Sequence, residues 1–303
     1  MRDRLDTVPL RSPSVSWSIE ERTVIVTGGN SGIGRATATA LGHAGAHVVI
    51  TARDPERGTT AAAQISAESG GRVDAMLLDL EDRGSIRSFA EQFANSKADL
   101  AVLVNNAGGI FGRRELTSDG VERTFATNHL GPFLLTHLLT PMLISCSPSR
   151  VVNVASSGHG YAREGIPFDD LTWEGRYSMR GAYGVSKLAN ILHAREYDRR
   201  HRPDGVSGYS MHPGLVRTSI GRDGDSLIAS IAWRLTSWRQ RSPAEGADTV
   251  TWLATADPDP EPHGGYFEDG AEARSTRHAR DDHQAERLWR VSEALLGLSG
   301  PST

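Results

Sequence analysis

Lysine is almost absent from this chain: it occurs only at Lys97 and Lys187, and arginine supplies the rest of the 33 basic residues. Lys187 closes the run Tyr183-Gly184-Val185-Ser186-Lys187. An ammonium is a compact charge on a flexible stem, so it fits beside a phenol and sugar hydroxyls where a forked guanidinium would not. The lysine kept at this position therefore marks Tyr183 and Lys187 as candidates for chemistry.

Cysteine and long apolar runs are also scarce. The single cysteine, Cys146, excludes an intrachain disulfide framework and is typical of a reducing compartment. Residues 1–19 lack the continuous apolar run of a secretory signal or membrane anchor. The longest apolar stretch, residues 131–145, is interrupted and shorter than the roughly 20 residues that a membrane span needs. We expect this stretch to form a buried helix, and the protein to be cytoplasmic.

Metal-ligand spacing and excess positive charge are missing as well. The 11 histidines form no short-spaced set with cysteines or carboxylates, so no metal site is predicted. A formal net charge of −4 provides no electrostatic footprint for nucleic acid. The expected partner is a small molecule, and a homo-oligomer is compatible with the sequence.

Short runs rich in β-branched residues alternate with helical patterns from Arg22 onward. This alternation predicts an α/β fold, a single-domain doubly wound (Rossmann) parallel sheet of about seven strands with helices on both faces. The predicted strands are Thr23–Thr27, His47–Ala52, Val73–Leu78, Leu100–Asn105, Arg150–Ala155, Val206–His212 and Gly265–Phe267. Residues 1–20 are interpreted as an N-terminal extension and residues 21–303 as the domain, with a C-terminal helix over about 281–298 for packing or oligomer contact.

A glycine-rich turn follows the first predicted strand. It reads Gly28-Gly29-Asn30-Ser31-Gly32-Ile33-Gly34 and precedes a predicted helix over Arg35–Ala44. Glycines at such a turn let the backbone approach a pyrophosphate, and the helix N-terminus presents free N–H groups to it. The pattern indicates a dinucleotide site, with an ordinary tight turn as the alternative.

Arg53 lies 19 residues after Gly34, at the end of the second predicted strand. A protein that binds the unphosphorylated cofactor usually has an acidic residue there, to bond the ribose hydroxyl. A guanidinium instead matches a phosphate in a bidentate manner. The sequence therefore predicts NADP(H) rather than NAD(H), with help from Arg35. A surface arginine is the alternative, and the neighbouring Asp54 is the feature that argues for NAD(H).

Tyr183 and Lys187 are four residues apart, so they project from one face of a helix. An ammonium about 4 Å from the phenol would favour the phenolate by up to about 4 kcal/mol, or about three pKa units from a value near 10. We therefore predict a tyrosine with a lowered pKa that exchanges protons near neutral pH. Ser156-Ser157 and Asn105-Asn106-Ala107-Gly108 end neighbouring predicted strands, where a doubly wound sheet binds its ligands.

These motifs together resemble one enzyme family. The segments Thr27-Gly28-x-x-x-Gly32-Ile33-Gly34, Asn105-Asn106-Ala107-Gly108, Ser156, Tyr183-x-x-x-Lys187 and Pro213-Gly214 are similar in order and spacing to those of short-chain dehydrogenases/reductases. The runs Thr117-x-Asp119-Gly120-x-Glu122 and Ser186-Lys187-Leu188-Ala189-Asn190 resemble the retinol-dehydrogenase-like branch of that family. The resemblance implies an NADP(H)-dependent oxidoreductase that interconverts an alcohol with an aldehyde or ketone on a lipophilic small molecule.

The resemblance also implies roles for individual residues. Tyr183 would donate or accept the proton, and Lys187 would lower its pKa and hold the nicotinamide ribose. Ser156 would orient the carbonyl, and Asn128 would hold a proton-relay water. Asp79 and Leu80 would contact the adenine. The full set of implied cofactor-binding residues is Gly28, Asn30, Ser31, Gly32, Ile33, Gly34, Arg53, Asp79, Leu80, Asn106, Ala107, Gly108, Tyr183, Lys187, Pro213, Gly214, Val216 and Thr218.

Several alternatives stay open at this level. An alignment shifted by one residue selects Ser157 in place of Ser156. His159 is interpreted as a loop histidine satisfied by solvent, with substrate contact as the alternative. Residues 215–241 are interpreted as a substrate lid, with core packing or a membrane-surface helix as alternatives. A dinucleotide-binding regulatory or scaffold protein would retain the fold without turnover, and a sugar-nucleotide epimerase is disfavoured because no second substrate domain is evident.

Overall fold

The computed structural model describes residues 17–96, 98–175, 177–214, 241–257 and 259–298. At its centre lies one sheet, which is parallel except for its last strand. Its strands are β1 (Thr23–Val26), β2 (His47–Ala52), β3 (Val73–Leu77), β4 (Leu100–Asn105), β5 (Ser149–Val154), β6 (Val206–Met211), β7 (Tyr266–Glu268) and β8 (Ala271–Glu272). Their order is β3-β2-β1-β4-β5-β6-β7-β8, with β1 to β7 parallel and β8 antiparallel to β7. The predicted doubly wound sheet is confirmed. The two-residue β8 was not predicted because so short a strand leaves no alternating pattern.

Helices cover both faces of this sheet. They are α1 (Gly32–His43), α2 (Pro55–Ser69), α3 (Arg83–Asn95), the single turn α4 (Arg123–Phe125), α5 (Gly131–Ser145), α6 (Met179–His201), α7 (Pro243–Thr255) and α8 (Asp282–Leu296). A π-helical segment, Ala126–Leu130, joins α4 to α5. Helices α1, α2 and α7 pack on one face, and α3, α5, α6 and α8 pack on the other.

Burial on both faces explains the composition of the central strands. Every residue of β4, β5 and β6 is buried, so these strands do not alternate between a solvent-exposed and a buried face, and even Arg150 and Asn153 of β5 lie in the interior. Trp17 and Ile19 are buried in the core on the α1 face, and the Trp17 indole N–H donates to the Ala254 carbonyl at 2.9 Å. The described end of segment 1–20 therefore packs against the sheet, while the division of the chain at residue 20 stays a prediction.

Predicted element ends differ from the observed ones by at most three residues, and β2 and β4 have the predicted bounds. Helix α1 begins at Gly32, three residues before the predicted start, because the Arg35 N–H already donates to the Ser31 carbonyl at 3.1 Å. Helix α2 begins with the Asp54 side chain as its cap and Pro55 in its first turn. The apolar stretch 131–145 forms the expected buried helix. Within the described ranges, no helix combines the length and apolar character needed to cross a membrane.

The connection pattern creates a crevice at one edge of the sheet. From β1 the chain runs outward through β2 and β3, and it then returns to place β4 on the other side of β1. The loops after β1 and β4 therefore diverge in opposite directions at the carboxyl ends of these strands. Ligands of doubly wound sheets bind at such a switch point.

Candidate active site

The glycine-rich turn and the loop after β4 are bonded to each other at this switch point. The Thr27 hydroxyl accepts from the N–H groups of Asn106 and Ala107 at 2.9 and 3.0 Å, and Asn106 Nδ2 donates to the Thr27 carbonyl at 2.8 Å. A Cβ on Gly28, whose φ is +65°, would lie 3.1 Å from the Ala107 Cβ, and one on Gly34 would lie 2.4 Å from Asn106 Nδ2. Only glycine permits this close packing.

The N-terminus of α1 is open toward the same crevice. No side chain caps the helix at Ser31, and its first turn contains no acidic residue. Asn30 is half-buried and Ser31 is exposed, whereas Ile33 is buried against Ala247 of α7 and anchors the turn. Uncapped N–H groups and the positive end of the helix dipole are the groups that bind a phosphate. The turn therefore fits the pyrophosphate of a dinucleotide.

Arg53 lies at the rim of this crevice. Its side chain is 60% exposed, and its guanidinium is 3.8 Å from Oε1 of Glu81. The neighbouring Asp54 carboxylate instead accepts from the N–H groups of Glu56 and Arg57, both at 3.0 Å, at the start of α2. Asp54 is thus engaged as a helix cap. Arg35, the second predicted phosphate ligand, forms an ion pair with Glu68 at 2.5 Å.

The segment after β3 offers mainly backbone to a ligand. Leu80 is buried in the core. Its carbonyl oxygen packs against Gly131, where an added Cβ would lie 2.4 Å from that oxygen. The Asp79 carboxylate accepts from the Glu81 N–H at 3.0 Å, and the Asp79 N–H donates to the Ser85 hydroxyl at 3.0 Å. The Leu80 side chain therefore belongs to the core.

Ser156, Tyr183 and Lys187 meet beyond the end of β5. Ser156 precedes a short 3-10 turn, where its hydroxyl accepts from the Gly158 N–H at 3.0 Å and lies near enough to the Tyr183 phenol to lower its pKa. A Cβ on Gly158 would be 2.8 Å from the Tyr183 ring, so glycine is needed there. Ser157 is exposed at this turn. Of the two serines considered from the sequence, Ser156 is therefore the one against Tyr183.

The pKa of Tyr183 is shifted in the direction opposite to the one predicted from the sequence. Burial raises the pKa of Tyr183, and the nearby Ser156 hydroxyl opposes this only in part. The Lys187 ammonium lies 5.7 Å from the centre of the Tyr183 ring and donates to the Val154 carbonyl at 2.9 Å. Burial lowers the pKa of Lys187 to about 8. The predicted lowering of the Tyr183 pKa is wrong for this structure, because desolvation outweighs an ammonium directed at a backbone carbonyl.

Asn128 is buried in the π-helical segment and is bonded on every side. Its Oδ1 accepts from the Gly109 N–H at 2.7 Å, and its Nδ2 donates to the Gly109 carbonyl at 2.9 Å and to the Ser186 hydroxyl at 3.0 Å. A Cβ on Gly108 would lie 2.9 Å from Asn128 Oδ1 and 3.6 Å from the Lys187 ammonium. Asn128 and Lys187 therefore both lie close to Gly108. A π-bulge at such a place is typical of functional sites.

Ser186 was missed as a site residue by the sequence reasoning. Its hydroxyl donates to the Tyr183 carbonyl at 2.8 Å and accepts from Asn128. It thus ties the π-helical segment to the helix turn that carries the tyrosine. Its position directly before Lys187 was the available signal.

His159 is buried and bonded within the protein. Its Nδ1 is 2.7 Å from the Ser156 carbonyl, its Nε2 accepts from the Thr276 N–H at 3.2 Å, and its ring meets that of Tyr266 edge-on. Burial lowers the pKa of His159, which suits the neutral tautomer with the proton on Nδ1. The interpretation of His159 as a solvent-satisfied loop residue is wrong, because the segment before α8 covers it.

Pro213 and Gly214 follow β6 at the same edge of the sheet. Gly214 has a φ of +78°, and a Cβ on it would lie 2.7 Å from the side chain of Arg241, which is paired with Asp269. Val216 and Thr218, and residues 215–240 of the predicted lid, lie outside the described residues. No group of three or more His, Cys, Asp or Glu residues gathers around a metal-sized space in the part of the chain that is described.

Similarity to known proteins covers most of the chain. A family model described as short chain dehydrogenase matches residues 22–168. Retinol dehydrogenase 12 of Mus musculus is 43% identical over 282 residues, which cover 92% of this chain and 88% of that protein. A solved structure of an uncharacterized Mycobacterium paratuberculosis protein has a TM-score of 0.75 and 33% identity, and the match covers 94% of this chain and 97% of that one. The Pseudomonas aeruginosa RhlG/NADP active-site complex has a TM-score of 0.67 and 27% identity, with 82% and 95% covered.

Proposed function

This chain belongs to the short-chain dehydrogenase/reductase family, and from that membership we propose that it is an NADP(H)-dependent enzyme interconverting an alcohol with an aldehyde or ketone. The observation that carries the proposal is the meeting of Ser156, Tyr183 and Lys187 beyond the end of β5. These side chains share the carboxyl edge of the sheet with the glycine-rich turn. A bound cofactor and a carbonyl group would therefore face the same hydroxyls.

Tyr183 is proposed as the group that exchanges the proton of the substrate oxygen. Its raised pKa keeps the phenol protonated near neutral pH, which is the form needed to donate to the oxygen as a carbonyl is reduced. Ser156 would hold the carbonyl oxygen by a hydrogen bond, and the buried ammonium of Lys187 would stabilise negative charge left on the phenol. The nicotinamide cofactor, when bound, supplies or accepts the hydride.

The preference for NADP(H) rests on Arg53. A mostly exposed guanidinium at the end of β2 can pair with a 2′-phosphate. Asp54, the carboxylate that would otherwise compete for a ribose hydroxyl, is engaged at the N-terminus of α2. The NADP complex of the RhlG relative supports the same cofactor.

A lipophilic substrate is supported by exposed apolar side chains beside Tyr183. Tyr161 is 53% exposed and packs against Gly184 of α6. A Cβ added to Gly184 would lie 2.8 Å from the Tyr161 Cβ. Met179 is 37% exposed and lies one helical turn before Tyr183 on the same face of α6. The relatives named retinol dehydrogenase support an extended apolar alcohol or aldehyde as the substrate class.

The proposal is tested by measuring NADPH oxidation by the purified protein with a panel of lipophilic aldehydes and ketones. The same assay is run on Tyr183→Phe and on Tyr161→Phe, which removes a phenolic hydroxyl from a neighbouring exposed ring. We expect turnover by the wild type and Tyr161→Phe, and a loss of at least about 100-fold in Tyr183→Phe with NADPH binding retained.

Two results would count against the proposal. Equal turnover by wild type and Tyr183→Phe would remove Tyr183 from the proton transfer. Binding of NADPH with no turnover on any substrate of the panel would favour the dinucleotide-binding regulatory protein over the enzyme.

A further inference from the structure

A half-buried carboxylate, that of Glu81, lies next to the proposed phosphate-binding arginine. Glu81 Oε1 is 3.8 Å from the Arg53 guanidinium, and it is a buried oxygen without a hydrogen-bond partner in the described structure. The other oxygen, Oε2, accepts from Arg123 at 2.9 Å. Oε2 therefore has a hydrogen-bond donor, whereas Oε1, which faces Arg53, has none within the described residues.

The position of this carboxylate is fixed by its surroundings. Arg123 also pairs with Glu115 at 2.6 Å and lies over the Phe111 ring at 4.1 Å, so its guanidinium is held from three sides. The backbone of Glu81 is tied to the Asp79 carboxylate at 3.0 Å. Glu81 therefore stays near Arg53, although the Arg53 side chain itself is mostly exposed.

We propose that Glu81 is a specificity-determining residue that weakens the preference for the phosphorylated cofactor. This inference rests on the proposed role of Arg53. A carboxylate beside the guanidinium cancels part of its positive field and repels a phosphate bound to it, and because Glu81 Oε1 itself is inaccessible to water, this repulsion is only partly screened. An unphosphorylated ribose carries no charge at this position, so its binding is almost insensitive to Glu81. The outcome is an enzyme that binds NADPH less tightly than Arg53 alone would allow, and that therefore prefers NADPH over NADH less strongly.

The test is the dissociation constant of NADPH and of NADH, measured by titration of cofactor fluorescence without substrate. Glu81→Gln keeps the shape of the side chain and removes its charge. We expect it to tighten NADPH binding by about tenfold and to leave NADH binding within about twofold. Unchanged NADH binding also shows that the variant is folded.

Glu115→Gln is the matched control, because Glu115 pairs with the same Arg123 but is not among the partners of Arg53. We expect it to change neither constant. An equal gain in NADPH affinity in both variants would assign the effect to the released Arg123 and overturn the proposal for Glu81.

Arg53→Gln separates this inference from the proposed cofactor preference. If wild type prefers NADPH and Arg53→Gln loses that preference, the role of Arg53 stands, and an unchanged NADPH constant in Glu81→Gln overturns the inference alone. If wild type shows no preference but Glu81→Gln acquires one, the inference stands and the predicted preference of the wild type fails. If neither variant alters the ratio of the two constants, both statements fail.

Discussion

Replacing Lys187 with methionine should stabilise the folded protein while it abolishes activity. The lysine is 6% exposed, and burial lowers the pKa of its ammonium from 10.5 to about 8. Each pKa unit is worth about 1.4 kcal/mol, so keeping this buried group charged costs about 3 kcal/mol of stability near neutral pH. The Val154 carbonyl would not lose its last donor, because Asn190 Nδ2 also donates to it at 3.3 Å. We therefore expect the free energy of unfolding to rise by about 1–3 kcal/mol in Lys187→Met.

The stabilisation should depend on pH with a defined sign. Because the folded pKa of Lys187 lies below its unfolded value, the unfolded chain binds more protons between about pH 8 and pH 10.5. The wild type therefore gains stability as the pH rises through this window, whereas Lys187→Met has no such group. The advantage of the variant should be complete below about pH 8 and should shrink toward pH 10.5. Urea unfolding at about pH 7 and about pH 9.5 measures both values.

Tyr183→Phe serves as the control for this experiment because it leaves the ammonium in place. It should keep the pH dependence of the wild type, although it is also expected to be inactive. If Lys187→Met were less stable than the wild type near neutral pH, burial of the Lys187 ammonium would not cost stability. A difference in stability that does not change with pH would show that the titration of Lys187 is not its cause.

Four other substitutions have defined outcomes. Gly34→Ala should weaken NADPH binding at least about tenfold and cost about 1–3 kcal/mol of stability, because its Cβ would lie 2.4 Å from Asn106 Nδ2. Gly160→Ala, with no atom within 4 Å of its Cβ, should change neither value in the same titrations. Arg150→Met should cost about 3 kcal/mol in urea unfolding, because a buried carbonyl and a partly buried one lose their donor and the Asp259 carboxylate loses its ion pair with Arg150. Asp54→Ala should cost about 1 kcal/mol as a lost helix cap and leave the ratio of NADPH to NADH affinity unchanged.

The parts of the fold that could be predicted from the sequence are those set by local patterns. Runs of β-branched residues predicted the positions of β1 to β7 along the chain. The spacing of Tyr183 and Lys187 on one helix, and the place of Ser156 after its strand, were likewise sufficient to bring these residues together.

The properties that could not be predicted depend on contacts between distant parts of the chain. The sign of the Tyr183 pKa shift was predicted wrongly because an assumed separation of about 4 Å ignored burial and the carbonyl that holds the ammonium. His159 is satisfied by the Thr276 N–H, which lies 117 residues later in the chain. Glu81 meets Arg53 only because β2 and β3 end side by side. Such pairings leave no signal in local sequence.

Tyr183 is proposed to exchange the substrate proton in an NADP(H)-dependent reduction. A single-turnover measurement tests this step directly: enzyme saturated with NADPH is mixed with a long-chain aldehyde, and the loss of reduced nicotinamide absorbance is followed. We expect a rapid decay in the wild type, and in Tyr183→Phe a decay at least about 100-fold slower with the same NADPH dissociation constant. An equally fast decay in both proteins would show that Tyr183 does not exchange the proton.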